Sequence, residues 1–167
     1  PVDFNLRGVH LFRSDDGGLT WAEKSSGLPT DARTSINAIV VDPMNPDIAY
    51  VMTSSHESEE SKGVYKTTDG GQSWYSANKG LSHVNTNDIQ IDPINPDTLY
   101  LAMHLPGYVR GDYFSGVYKS VDSAETWEPS SDGLPTGSVS DLALDSLNPN
   151  VLYAATREGV FMSVDGA

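Results

Sequence analysis

The chain has 167 residues, no cysteine and a formal charge of −13. That length supports a core, the lack of cysteine rules out a disulfide scaffold and thiolate chemistry, and the negative surface argues against nucleic acid or anionic lipid as partners and against membrane insertion, solubility being its simplest role. No apolar run reaches membrane-spanning length, and a start at Pro1 with an end inside a repeated motif points to a segment of a longer protein, so the missing signal peptide carries no weight.

In chain order, residues 1–26 hold a turn motif, Ser14-Asp-Asp-Gly-Gly-Leu-Thr-Trp21, with a strand expected to begin at the Trp. Residues 27–79 hold four β-like runs, here named A to D. Run A is Ile36 to Val41 and run B is Ile48 to Thr53. Run C is Val64 to Thr67, and run D begins at Trp74. Asp42-Pro-Met-Asn-Pro-Asp-Ile-Ala-Tyr50 lies across A and B, and Thr67-Thr-Asp-Gly-Gly-Gln-Ser-Trp74 joins C to D. Residues 80–132 repeat the plan, with A at Thr86 to Ile91, B at Thr98 to Met103, C at Val117 to Ser120, and D from Trp127. Residues 133–167 supply three runs, Val139 to Leu144, Val151 to Thr156 and Val160 to Ser163, and then the opening of a fourth turn motif, Ser163-Val-Asp-Gly-Ala. Within run A the pairs Ile39 and Val41, Ile89 and Ile91, and Leu142 and Leu144 alternate with other residues, so each pair is expected on one sheet face.

Asp16 and Asp69 are 53 residues apart, as are Asp69 and Asp122, while Asp165 follows after 43. Four short strands per repeat of about 40–50 residues predict blades of a β-propeller, an all-β fold of four-stranded antiparallel sheets. Residues 1–26 read as the outer half of a blade, 27–79 and 80–132 as whole blades, and 133–167 as a partial one. About three blades form an arc, so the remaining blades of a longer chain are expected partners.

The Asp-Pro-x-Asn-Pro-Asp stretch reads as a turn clip. Proline fixes φ, and the Asp and Asn side chains accept backbone N–H bonds. In the second motif the Gly pair permits positive φ, the Asp and hydroxyl residues can close the loop, and the Trp offers an apolar face that pins it. Its members are Ser14, Asp16, Gly18, Thr20 and Trp21, then Thr67, Asp69, Gly71, Ser73 and Trp74, then Ser120, Asp122, Thr126 and Trp127, and finally Ser163 and Asp165. This stretch resembles the Asp-box, or bacterial neuraminidase repeat, of sialidases, the sortilin family and family 74 xyloglucanases. The copy beginning at Ser120 has Ser123 and Ala124 in place of the glycines, which predicts a distorted turn. The resemblance implies a propeller whose Asp-boxes are structural hairpins on the face away from any active site, and an extracellular or cell-surface setting.

Function is therefore expected on the opposite face, at the irregular B–C connections. Ser54 to Lys62 contains His56, Glu57, Glu59 and Glu60. Here a cation site competes with a plain acidic loop, and without fixed ligand spacing the acidic loop is the better reading. In His104 to Ser115, Tyr108, Tyr113 and Phe114 can stack on sugar rings, fill a partner's pocket or pack on a neighbouring loop. Arg110 lies among them, and its Arg-Gly-Asp tripeptide is short enough to be chance. On run A, Asp88 and Asp141 share a repeat position and are the only carboxylate pair to nominate for glycoside hydrolysis, against structural hydrogen bonding as the simpler role. The five arginines show no triad of the kind a sialidase needs. No cofactor or metal is expected. The sequence favours a non-catalytic scaffold binding a polysaccharide or a protein, with a glycoside hydrolase segment as the alternative.

Overall fold

The computed structural model describes residues 8–30, 34–55, 63–82, 84–104 and 116–167. Every regular element among them is a strand. A short sheet pairs β1 (Phe12–Arg13) with β2 (Ala22–Glu23). The next contains β3 (Thr34–Val41), β4 (Ala49–Ser55), β5 (Gly63–Thr67) and β6 (Tyr75–Ser76), hydrogen-bonded in that order. The same meander recurs in β7 (Thr86–Ile91), β8 (Leu99–Met103), β9 (Val117–Ser120) and β10 (Glu128–Pro129). A three-stranded sheet of β11 (Val139–Leu144), β12 (Leu152–Thr156) and β13 (Gly159–Ser163) completes the series. All neighbours are antiparallel, and the architecture is an arc of propeller blades with β3, β7 and β11 innermost. The outermost strands are two residues long and begin one residue after each Trp; at Trp74 and Trp127 the Trp amide is taken by the preceding unit rather than by the adjacent strand.

The turn clip forms in all three places. Asp42 Oδ1 accepts the Met44 and Asn45 amides at 2.7 and 3.0 Å. Asp92 and Asp145 do the same for their following residues, even though Ser146 replaces a proline. This clip and the Asp-box lie at one end of each blade, since Gly70, Ser123 and Gly166 donate their amides to the carbonyls of Asp47, Asp97 and Asn150.

The cores lie between blades. Tyr50, Met52 and Val64 of one blade meet Ile89, Leu99 and Leu101 of the next. A second core joins Tyr100, Ala102 and Val117 to Val139, Leu142 and Leu152, and a third places Val9 and Leu28 against Val51, Tyr65 and Trp74. Full burial of such side chains stabilises by about 1.5–3 kcal/mol each. Alternation holds in register but not in burial. Ile89 and Leu142 are buried, whereas Ile39 is 52 % and Val41 47 % exposed. The face of β3 that carries them lines an open recess shared with Phe12 and Arg13 of β1, whose sheet has only two strands among the described residues.

Candidate functional site

At the Asp-box end the carboxylates are spent on their own loops. Asp16 Oδ1 accepts the Thr20 amide at 2.9 Å and the Ser14 hydroxyl at 2.8 Å, while Oδ2 accepts the Thr20 hydroxyl at 2.6 Å. Asp69 repeats this with Ser73 and Thr67. The first hydroxyl in turn accepts a backbone amide, that of Gly18 on Ser14 and of Gly71 on Thr67. These bonds favour the charged form. Chiefly through the Thr20 hydroxyl, Asp16 is lowered to about 2, and through the Ser73 hydroxyl Asp69 is likewise lowered to about 2. Asp122 is lowered mainly by Thr126, and Asp165 mainly by Ser163.

The turn at Ser120 is not distorted. Ser123 and Ala124 adopt φ of 57° and 65°, the region the glycines occupy elsewhere, and the bonds from Thr126 to Asp122 and from Ala124 to Ser120 are all present. The local network, together with a Ser123 hydroxyl bond to Asp97, outweighs a left-handed cost of about 1–2 kcal/mol per residue.

The Asp-boxes ending at Trp74 and Trp127 also join their blades to the one before. The Trp74 indole donates to the Lys24 carbonyl and the Trp127 indole to the Ala77 carbonyl, both at 2.8 Å. Their amides donate to Ser26 and Lys79. Returning bonds come from strand C and strand B. Arg13 reaches the Gly70 carbonyl and Lys66 reaches Glu125, while Lys119 and Tyr100 both reach the Gly166 carbonyl. Tyr50 donates to the Ser123 carbonyl, and burial raises the Tyr50 and Tyr100 phenols. The sequence shows these tyrosines and lysines as repeated residues, but not their partners in the next blade.

The opposite end differs. All three inner strands carry a bulge there, between Ile36 and Ala38, Thr86 and Asp88, and Val139 and Asp141. Bulges re-aim side chains, and the bulged residues are Asn37, Asn87 and Ser140. Asn37 Oδ1 accepts the Ser35 and Ser54 hydroxyls, Asn87 donates across to the Val139 carbonyl at 2.7 Å, and Ser140 donates to the Ala155 carbonyl. Asp88 and Asp141 therefore come from adjacent inner strands at matching positions. Asp88 Oδ2 accepts the Leu142 amide at 3.1 Å and the Gln90 side chain at 2.9 Å, so it ties two blades together. Asp141 is exposed. This row of amides, carboxylates and hydroxyls forms a rim suited to hydrogen-bonding a polar ligand. The B–C connections spring from the same end, where the His104 amide donates to the Asn85 carbonyl. His56, Tyr108, Arg110, Tyr113 and Phe114 lie outside the described residues. Among the described residues no group of three or more His, Cys, Asp or Glu is placed to hold a metal ion.

The Sortilin-Vps10 family model (sortilin, neurotensin receptor 3) matches residues 9–159. No curated protein matches. Among solved structures, the chain is similar to an ancestral GH74 enzyme at 19 % identity and a TM-score of 0.67, covering 98 % of this chain and 21 % of that one. It is similar to the GH74 enzyme of Niastella koreensis at 18 % and 0.65, over 93 % and 25 %. The GH74 xyloglucanase of Xanthomonas campestris follows at 20 % and 0.61, over 94 % and 21 %. The chain thus spans a fifth to a quarter of the length of these structures, and the likeness is one of fold.

Proposed function

The chain belongs to the Sortilin-Vps10 family, and from that premise we propose that it is a non-catalytic propeller segment, a binding scaffold for a polysaccharide or a protein in a secreted or surface-exposed setting. The observation behind this reading is the contrast between the two ends. Asp-box carboxylates are consumed inside their own turns, while the bulged end presents Asn37, Asn87 and Asp141 outward beside the irregular connections. Polar side chains on a fixed strand rim make a ligand surface without requiring chemistry. The test is titration of the protein with xyloglucan oligosaccharides, a polysaccharide panel and immobilised proteins. Binding that weakens about tenfold on Asp141→Ala, and is abolished by deleting residues 105–114 with melting unchanged, supports the reading. Equal binding by the deletion variant overturns it.

A glycoside hydrolase segment is the second reading, favoured by the adjacent placement of Asp88 and Asp141 and by the likeness to GH74 enzymes. Release of reducing ends from xyloglucan, lost in Asp141→Asn and Asp88→Asn, is its signature. The commitment of Asp88 to the Leu142 amide weighs against it, because a catalytic carboxylate must reach substrate.

A further inference from the structure

Every turn between runs A and B places one large aliphatic side chain in solvent. The residue stands two after the clip aspartate, and it is Met44, Ile94 and Leu147 in turn. These are 67 %, 58 % and 89 % exposed. The clip uses only the amide of that residue, which donates to Asp42, Asp92 or Asp145. Turn geometry therefore leaves the side chain free to be polar, as turn residues commonly are. Single exposed apolar residues are ordinary on a protein surface. An aliphatic one at the same position in all three turns is a pattern, and patterned apolar exposure marks contact surfaces. Ile94 is the decisive copy. Its strand, β7, packs between β3 and β11, so the exposure of Ile94 belongs to its place at the end of a blade and not to a missing neighbour.

Spacing and charge at this end select what can cover the row. The innermost strands of neighbouring blades face each other, and packed sheets stand about 10 Å apart. About seven residues of α-helix rise about 10.5 Å, so one helix face can present an apolar side chain to successive turns. Asp47, Asp97 and Asp145 are exposed beside the row, and the Asp-box carboxylates at the same end are held ionised by their loop bonds. Arg13, Lys66 and Lys119 reach this end, but each is taken up in a blade joint, and Lys24 lies by Gly71 on the outer side. Aliphatics set among carboxylates repel anionic lipid. They also disfavour a second copy of a chain whose charge is −13, because like charges would meet.

We propose that the clip end of the arc docks a basic amphipathic helix of a partner protein. Its aliphatic face rests on Met44, Ile94 and Leu147, and its flanking Lys or Arg side chains meet Asp47, Asp97 and Asp145. Burial of the aliphatic row supplies affinity, and the carboxylates select the sign of the partner and speed its approach. This surface lies at the opposite end from the bulged rim and stands whether or not that rim binds a ligand.

The probe is a synthetic helix of about three heptads with Leu along one face and Lys on the rest, titrated calorimetrically into the whole chain with amide chemical shifts followed in parallel. Saturable binding is expected, with shifts at residues 42–47, 92–97 and 145–150 and an affinity that falls as salt is raised. Ile94→Ser should weaken it at least about tenfold, with melting unchanged because the side chain is exposed. A helix with Glu in place of Lys should not bind. No saturable binding at millimolar peptide, equal binding of the Glu helix, or binding indifferent to Ile94→Ser overturns the proposal. So does dimerisation of the chain, or co-sedimentation with phosphatidylcholine vesicles, that is lost in Ile94→Ser, which would make a second copy or a lipid surface the occupant.

Discussion

Trp127 and Trp21 end the same eight-residue motif, yet Trp127 is 2 % exposed and Trp21 is 62 % exposed. Their turns are equivalent. Asp16 and Asp122 make the same bonds to a threonine four residues on, within 0.1 Å of each other. What differs is the neighbour. Trp127 has a preceding blade with Ala77, Lys79 and Gly80 to receive it, and no such socket lies against Trp21 among the described residues. An Asp-box is thus two devices in one stretch, a hairpin lock that closes on itself and an anchor that works only against another blade.

The largest test of that separation is Trp127→Ala against Trp21→Ala. Removing Trp127 should cost about 3–5 kcal/mol, and removing Trp21 should stay within about 0.5 kcal/mol, both read from urea unfolding. Equal losses would break the distinction. Next come the glycines. Gly80→Ala drives a Cβ into the Trp127 carbonyl and should cost more than about 2 kcal/mol. Gly133→Ala meets only the left-handed penalty of about 1–2 kcal/mol, a difference visible as separate melting temperatures.

Acid should act on the lock and not on the anchor. Asp16 and Asp69 sit near 2 in the folded chain and near 3.8 when unfolded. Their contribution is complete above about pH 4 and is lost as pH falls toward 2. Thermal melts across that window should fall, with a shallower slope in Asp16→Asn and in Asp69→Asn alike, since the flank and interior locks are equivalent. A slope change in the interior variant alone would join the two devices again. The smallest expected effect belongs to Arg13→Ala at the first joint, where Arg13 is one-third exposed and meets Gly70 and Asp47. It should cost under about 1 kcal/mol, with a loss shrinking further in high salt.

The repeat length, the strand meander, the turn clips and the Asp-box hydrogen bonds were legible from residue order, because each rests on partners within a few positions. The undistorted third turn was not, since glycine chemistry suggested strain and the network around Asp122 overrode it. The exposure of Ile39 and Val41 was missed for a related reason. Alternation specifies which residues share a face, but not whether anything lies opposite. At the rim, Asp88 and Asp141 were identifiable as a matched pair. The bulge that places them is set by register with the following strand, and the Leu142 amide that claims Asp88 comes from a strand more than fifty residues away.

The sequence by itself determined the blade and its phase, through short-range hydrogen bonding and the side-chain period of two. Only the tertiary structure decided which Trp is an anchor and which tyrosine and lysine are latches. Those properties belong to contacts between residues about fifty positions apart, and a repeat presents the same letters whether its neighbour is present or not.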